Sequence, residues 1–449
     1  MVAPTDTPAD PALQGVLGPD ADPGRLADAA AALPGPAWLV ERRRGAATAV
    51  AEVPLPTVDA EEWRYSRIAE LDTGRYTPVV PAGPLPAEPP QLAEVLSAVT
   101  ERAGLVVLVD GVVVRAELSD AASQAGVTFG PVSALDGPGP LDAATGGPVD
   151  RFAALNAALA IDPVVLDVPR SVDLAEPFVV VQVLTRPGAA VFGRLAVRAG
   201  ENSRCSVVEV AVSDDVDALT APVTELVVGA AARVAHTVLQ DVGRQVWQLG
   251  SLVAEVGQDA TLDVDVAALG GSYARLRLDC RLTGRGATGN LSSIYFGDGH
   301  QMLDLRTFQE HVAPDTTSNL LFKGAVADTS HAVYSGLIRI RPHARGTNAF
   351  QTNRIVKLSE HAWAESVPNL EIENNDVHCS HASTVGPVDE DQLFYLESRG
   401  VPTEVAERLI VGGFFDEVLD TVAVPGVADL ARGRIDALLD RRLGRRGPA

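Results

Sequence analysis

The residues best equipped for chemistry lie close together near the C-terminal end. His378-Cys379-Ser380-His381 places two of the eight histidines and one of the three cysteines within four positions, after the acidic run Glu371-Ile372-Glu373-Asn374-Asn375-Asp376. Imidazole and thiolate are natural ligands of iron, zinc and copper. On an extended strand alternate residues share a face, so Cys379 and His381 point one way and His378 and Ser380 the other. Two ligands on one face cannot close a four-ligand structural site. On the residues alone three readings stay open: distant side chains such as His343 or His361 join them, a second protein joins them, or they are half-buried strand residues without a metal. A nucleophilic Cys–His pair fits less well, because no oxyanion loop or third orienting group is evident.

The rest of the chain bounds what such a cluster can serve. With 449 residues and 46% hydrophobic content the chain has ample core for a globular fold of several regions. Asp and Glu number 59 against 36 Lys and Arg, a net charge of −23, which argues against nucleic acid as a partner. Cys205, Cys280 and Cys379 are far apart and form no C-x-x-C pair, so neither a disulfide framework nor a zinc knuckle is expected and a reducing cytoplasm fits best. No apolar run reaches the roughly 18 residues of a membrane span, and no signal peptide is expected. A Gly-rich phosphate loop is also missing, so the chain is not expected to hydrolyse nucleotides itself.

Four regions must position the cluster. Residues 1–36 are expected to form a flexible acidic tail with one helix near 26–33. Residues 37–160 read as an α/β region. It holds a short helix from Ala37, a packing anchor at Glu61-Glu62-Trp63-Arg64-Tyr65-Ser66, and a linker with six prolines from Pro78 to Pro90. Apolar runs flanking Asp110-Gly111 predict a hairpin with a type I′ turn, and a short helix follows over 151–159. Residues 161–386 carry short Val-, Leu- and Thr-rich runs, with Gly229, Gly257 and Gly284 about 28 residues apart. No long amphipathic helix interrupts them, which argues against a βαβ sheet, and the glycine-small turns repeated at each corner, with few tight two-residue hairpins, favour a β-helix over a sandwich. Residues 387–449 read as helices. Asp389 with Gln392 is a capping pair, and Arg399-Gly400 is a stop. From Thr403, the residues Val405, Leu409, Ile410, Phe414, Val418 and Leu419 form one apolar face. Gly412-Gly413 within it, at about 1 kcal/mol each, predicts close approach of another backbone. The last helix ends basic, with Arg441, Arg442, Arg445 and Arg446.

These residues together resemble a known family. Pro368-Asn369-Leu370-Glu371-Ile372, the run Asp376-Val377-His378-Cys379-Ser380-His381-Ala382-Ser383-Thr384-Val385-Gly386, and Asp391-Gln392-Leu393-Phe394-Tyr395-Leu396-Glu397-Ser398-Arg399-Gly400 closely resemble the SufB/SufD family of the SUF iron–sulfur cluster assembly machinery. Residues 318–324, 335–340 and 346–353 match upstream, and Glu62-Trp63-Arg64-Tyr65-Ser66 is similar to an N-terminal motif of the SufD branch. Asn353 stands where SufB-type chains carry a cysteine, and Cys379-Ser380-His381 resembles the SufD pattern.

The resemblance implies a mainly β fold, a right-handed parallel β-helix between helical N-terminal and C-terminal regions. It implies a non-enzymatic scaffold subunit working with a SufB-type scaffold and a SufC-type ABC ATPase. The ATPase would dock on the C-terminal helices, through Leu393, Phe394, Tyr395, Val405, Leu409, Gly412, Gly413 and Phe414. His381, with Cys379, would sit at the subunit interface where clusters are built, His381 acting as a transient metal ligand. No stably bound cofactor is implied, only iron or a nascent iron–sulfur cluster in passage, and the sequence neither supports nor excludes flavin. In isolation a homodimer is compatible with the resemblance. The rival readings are a SufB-like scaffold holding the cluster itself and a polysaccharide-active β-helix enzyme. The latter needs carboxylates and basic residues in a row along one groove, and no such row is visible.

Overall fold

The computed structural model describes residues 13–19, 22–81, 85–144 and 147–446. Its centre is a parallel β-solenoid of about eight turns, with one sheet of twelve strands and one of ten. From Arg233–Asp241 onward consecutive strands alternate between the sheets, so strands of one sheet stack one coil apart. Trp247, Tyr273, Met302, His331 and Trp363 occupy successive coils in register. The helical regions lie at both ends of the chain, as expected.

The repeat is set at one corner. Ser171, Asn202, Ala231, Asp259, Gly286, Asp315 and Gly346 all have positive φ there. Each donates its N–H to a carbonyl of the next coil, for example Ala231 to Gln258 at 2.7 Å and Asp259 to Arg285 at 2.9 Å. The glycines recognised in the sequence stand beside these residues and let the coils approach. A Cβ on Gly284 would lie 2.0 Å from the Gln258 nitrogen, and one on Gly229 2.8 Å from the Ala199 oxygen.

Three layers of apolar packing follow. The interior is filled by inward residues of both sheets, such as Val180, Val197, Val207, Leu226 and Leu262. The N-terminal region covers the twelve-stranded sheet, with Leu26, Ala30, Leu33, Val50 and Phe152 against Ala190, Trp247 and Met302. Helices Gln91–Ala98, Thr403–Leu419 and Pro425–Arg446 cover the ten-stranded sheet. Val411, Phe415, Ile435 and Leu438 there meet Val181, Val210 and Phe296. Strands buried on both faces read as continuous apolar runs, whereas Thr347–Lys357, uncovered outside, alternates buried and exposed.

Two boundaries differ from expectation. Leu13, Val16 and Leu17 and the helix Pro23–Ala32 belong to the N-terminal packing layer, because Leu26, Ala29, Ala30 and Leu33 form a buried stripe. Residues 13–19 and 22–36 of the expected tail are therefore built into the fold, while residues 1–12, 20 and 21 lie outside the described residues. The hairpin of Gly104–Val109 and Val112–Leu118 forms, with positive φ at both Asp110 and Gly111. It is part of the solenoid, however, since Gly104–Val109 pairs in parallel with Phe178–Leu184.

The Glu61–Ser66 segment is an anchor. Trp63 is buried against Phe152 and lies 3.9 Å from the Arg275 guanidinium. Arg275 donates to the Glu62 carbonyl at 2.8 Å and Arg306 to that of Arg64 at 2.7 Å.

Candidate functional site

The solenoid ends in two strands, Trp363–Ile372 in the twelve-stranded sheet and Val377–Pro387 in the ten-stranded sheet. The acidic run between them is a corner. Asn374 Nδ2 donates to the Pro342 carbonyl at 2.7 Å, and its Oδ1 accepts from the Asp376 N–H at 2.8 Å. Glu371 and Glu373 face Arg339 across the surface at 3.1 and 3.6 Å, so these carboxylates are solvated ion-pair partners.

The last strand pairs on one side only, with Thr347–Lys357. Cys379 stands beside Ala349, His381 beside Gln351 and Ser383 beside Asn353. In the paired strand Ala349, Gln351 and Asn353 are buried, and Asn348, Phe350 and Arg354 are exposed. That register places Cys379, His381 and Ser383 on the interior side of the open end, and His378 and Ser380 on the outside. Cys379 is half-buried, next to Ile338, Ile340, Ala349 and Leu370, and this burial raises its thiol above the ordinary pKa. The other cysteines are core residues, and burial pushes Cys205 and Cys280 up to about 12.

A hydrogen-bonded chain holds the last coil. The buried Tyr295 hydroxyl donates to Asn353 Oδ1 at 2.8 Å, and Asn353 Nδ2 donates to Ser366 Oγ at 2.8 Å. Ser383 Oγ donates to the same Ser366 oxygen at 2.6 Å. Asn353 thus ties both terminal strands to the core two residues from His381. Among the described residues no three His, Cys, Asp or Glu side chains gather as a metal site, so neither His343 nor His361 completes the Cys379–His381 pair. Further ligands would have to come from outside the chain.

The C-terminal helices carry the second set of expected site residues. The helix Glu390–Ser398 is capped by Asp389, which accepts from the Asp391 and Gln392 N–H groups at 3.0 Å each. It buries no residue, and Phe394 and Tyr395 are 70% and 56% exposed, with Leu393 half-buried. The helix Thr403–Leu419 has two apolar faces where one was expected. Val411, Phe415, Val418 and Leu419 meet the sheet, while Val405 and Leu409 are exposed at 46% and 56%. Phe414 turns toward the sheet. Its ring lies 4.5 Å from Lys323 Nζ, which donates to the Phe414 carbonyl at 2.8 Å and pairs with Glu417. The expected close backbone approach at Gly412-Gly413 is not made within this chain, because nothing lies within 4 Å of a Cβ on either residue. Arg441 and Arg442 lie on the last helix, with Arg442 buried against Glu407. The side chains of Arg445 and Arg446 lie outside the described residues.

Comparison with known proteins decides the family. Residues 182–414 match the family model described as SUF system FeS cluster assembly, SufBD core domain. The chain belongs to the SufBD family. An iron-sulfur cluster assembly SufBD family protein of Mycobacterium tuberculosis is 36% identical over 306 residues, covering 66% of this chain and 75% of that protein. The iron-sulfur cluster assembly protein SufD of Bacillus subtilis is 29% identical over 280 residues, 62% of this chain and 64% of that one. SufD of Escherichia coli is 33% identical over 180 residues, 40% and 43% of the two chains. The matched core contains every solenoid coil from Gln182 onward and the terminal strand with His381. Among the described residues no helix is long and apolar enough to cross a membrane.

Sequence reasoning missed the residues beneath the cluster: Tyr295, Gln351, Ser366 and Ser383. The signal was the coil length. Counting back thirty residues from His381, one turn of the solenoid, lands on Gln351.

Proposed function

We propose that this chain is a SufD-like scaffold subunit of an iron–sulfur cluster assembly complex, without catalytic activity of its own. It would act with a SufB-type scaffold and a SufC-type ABC ATPase in building nascent clusters or supplying their iron. The observation that carries the reading is the terminal strand. It is eleven residues long, contains no charged side chain, and leaves one edge unpaired while holding Cys379 and His381 toward the interior. An uncharged open edge is a template for a second chain's strand. Two ligands on one face need further ligands from such a partner, with iron or sulfide entering as substrate.

The exposed Phe394, Tyr395, Val405 and Leu409 offer apolar area to a protein partner, which supports docking of the ATPase on these two helices. Gly412 and Gly413 leave open space on the same helix for a partner backbone. Lys323 ties that helix to the strand Thr317–Val326, neighbour of the strand that holds the last one, so movement of the docked ATPase would be transmitted to the rim. No stable cofactor is assigned, and a cytoplasmic site of action goes with the reading.

The test is co-expression with the two partner types and anaerobic reconstitution of clusters. His381→Ala is expected to leave complex formation and melting temperature unchanged and to lower cluster yield roughly tenfold or more. Full cluster yield from the variant complex would remove the role of His381.

A further inference from the structure

Directly beneath His381, one coil inward, lies Gln351. It is 2% exposed, and neither its amide oxygen nor its amide nitrogen has a hydrogen-bond partner. The space it occupies is made by a glycine on the opposite sheet. A Cβ on Gly336 would lie 2.5 Å from Gln351 Nε2 and 2.2 Å from the Tyr334 hydroxyl. Tyr334 is engaged with Thr307 Oγ1 at 3.1 Å. Gln309 is likewise unpartnered, but it pairs in register with Ile338 and lies deeper in the solenoid.

A buried amide without partners costs about 1–3 kcal/mol, whereas an apolar side chain of the same shape costs nothing there. Nothing in the packing requires an amide, since the neighbour beneath Gln351 in the same row is Leu320. Gln351 itself stands one strand spacing, about 4.8 Å between backbones, from His381 in the same row. An imidazole that binds a metal through one ring nitrogen needs an acceptor for the N–H of the other, which fixes the tautomer and the ring plane.

We propose that Gln351 is a positioning residue for His381: its amide oxygen accepts the inner ring N–H while the outer nitrogen takes a divalent iron ion. This rests on the reading of His381 as an iron-handling residue. Asn353 and Ser383 then hold the strand, and Gln351 holds the ring.

The experiment uses the full-length reduced chain without oxygen and cobalt(II) as a paramagnetic probe of the iron(II) position. Broadening of the His381 ring signals is followed by NMR as cobalt is added, alongside melting temperature. The wild-type chain is expected to broaden at His381. Gln351→Leu and Gln351→Met are expected to melt at the same or a higher temperature, yet to bind 10- to 100-fold more weakly. Gln351→Glu, which keeps an acceptor, is expected to retain binding. Wild-type affinity in the leucine and methionine variants would overturn the role of Gln351 and leave that of His381 standing. An absence of broadening at His381 in the wild-type chain would overturn both. The methionine variant decides if leucine fails to fold.

Discussion

The two ends of the solenoid are built to opposite specifications. At the N-terminal end each sheet is finished by an antiparallel strand, Val112–Leu118 on one and Thr128–Pro131 on the other. The first carries Arg115 and Glu117 and the second is four residues long and ends in proline, which are ordinary ways to make an edge unattractive. The interior beneath them is apolar, with Phe129 against Phe178 at 5.1 Å and Val164, Leu166 and Val197 around them. At the C-terminal end the last strand is long, uncharged and unpaired, and the interior beneath it contains Tyr295, Thr307, Gln351 and Asn353. An end that is sealed and dry serves stability. One that is open, neutral and lined with hydrogen-bonding groups offers what the proposed partner strand would need.

The comparison breaks most visibly if the open edge is given the device of the closed one. Ala382→Lys places a charge on an exposed position of the terminal strand, away from the interior row of His381. It is expected to abolish assembly with the proposed SufB-type partner in size-exclusion chromatography while the melting temperature of the isolated chain stays the same. Intact assembly would show that the rim is not the interface.

The interior difference predicts a pH response. In the open half His311 is fully buried between Thr316 Oγ1 at 2.8 Å and Ser318 Oγ at 2.9 Å, and burial pushes its pKa down to about 4. Unfolded, the imidazole takes a proton near pH 6.5. Between pH 6.5 and 4 the unfolded chain therefore binds a proton that the folded chain does not. The contribution of His311 is present above pH 6.5 and is lost as pH falls to about 4, by about 3 kcal/mol in all. Denaturant unfolding of wild type and His311→Gln across this range should diverge by that order. Parallel curves would place the acid sensitivity elsewhere.

How much of this was legible depends on which residues repeat. The hairpin at Asp110-Gly111, the helix Arg151–Leu159 and the cap at Asp389 are local chemistry, and each lies where its residues put it. The glycines at 229, 257 and 284 marked the coil length because backbones of adjacent coils touch there. The positive-φ residues that close each corner were hidden, since Ser, Asn, Ala, Asp and Gly all serve and no one residue type repeats. His381 and Cys379 were visible as a cluster. Gln351, Ser366 and Tyr295 were not, because their meeting depends on a register across one or more coils. The packing of the chain from residue 13 was obscured by an Ala- and Pro-rich composition that reads as a tail, although its few leucines form a buried stripe.

The smallest effect belongs to the closed end. Arg115 pairs with Glu117 at 2.8 Å and reaches Glu88 at 3.5 Å, all partly exposed. Such surface pairs contribute well under about 1 kcal/mol, so their purpose on an edge strand is better sought in what they prevent. Arg115→Thr with Glu117→Thr keeps β-propensity, removes both charges and leaves the strand as neutral as the C-terminal rim. Its melting temperature is expected to stay near that of the wild type. Sedimentation of the double variant should show weak self-association beyond that of the wild type at the same concentration, because seven residues of neutral edge now stand open. If both sediment alike, charge is not what closes this end, and the short strand Thr128–Pro131 and its proline must suffice to do so.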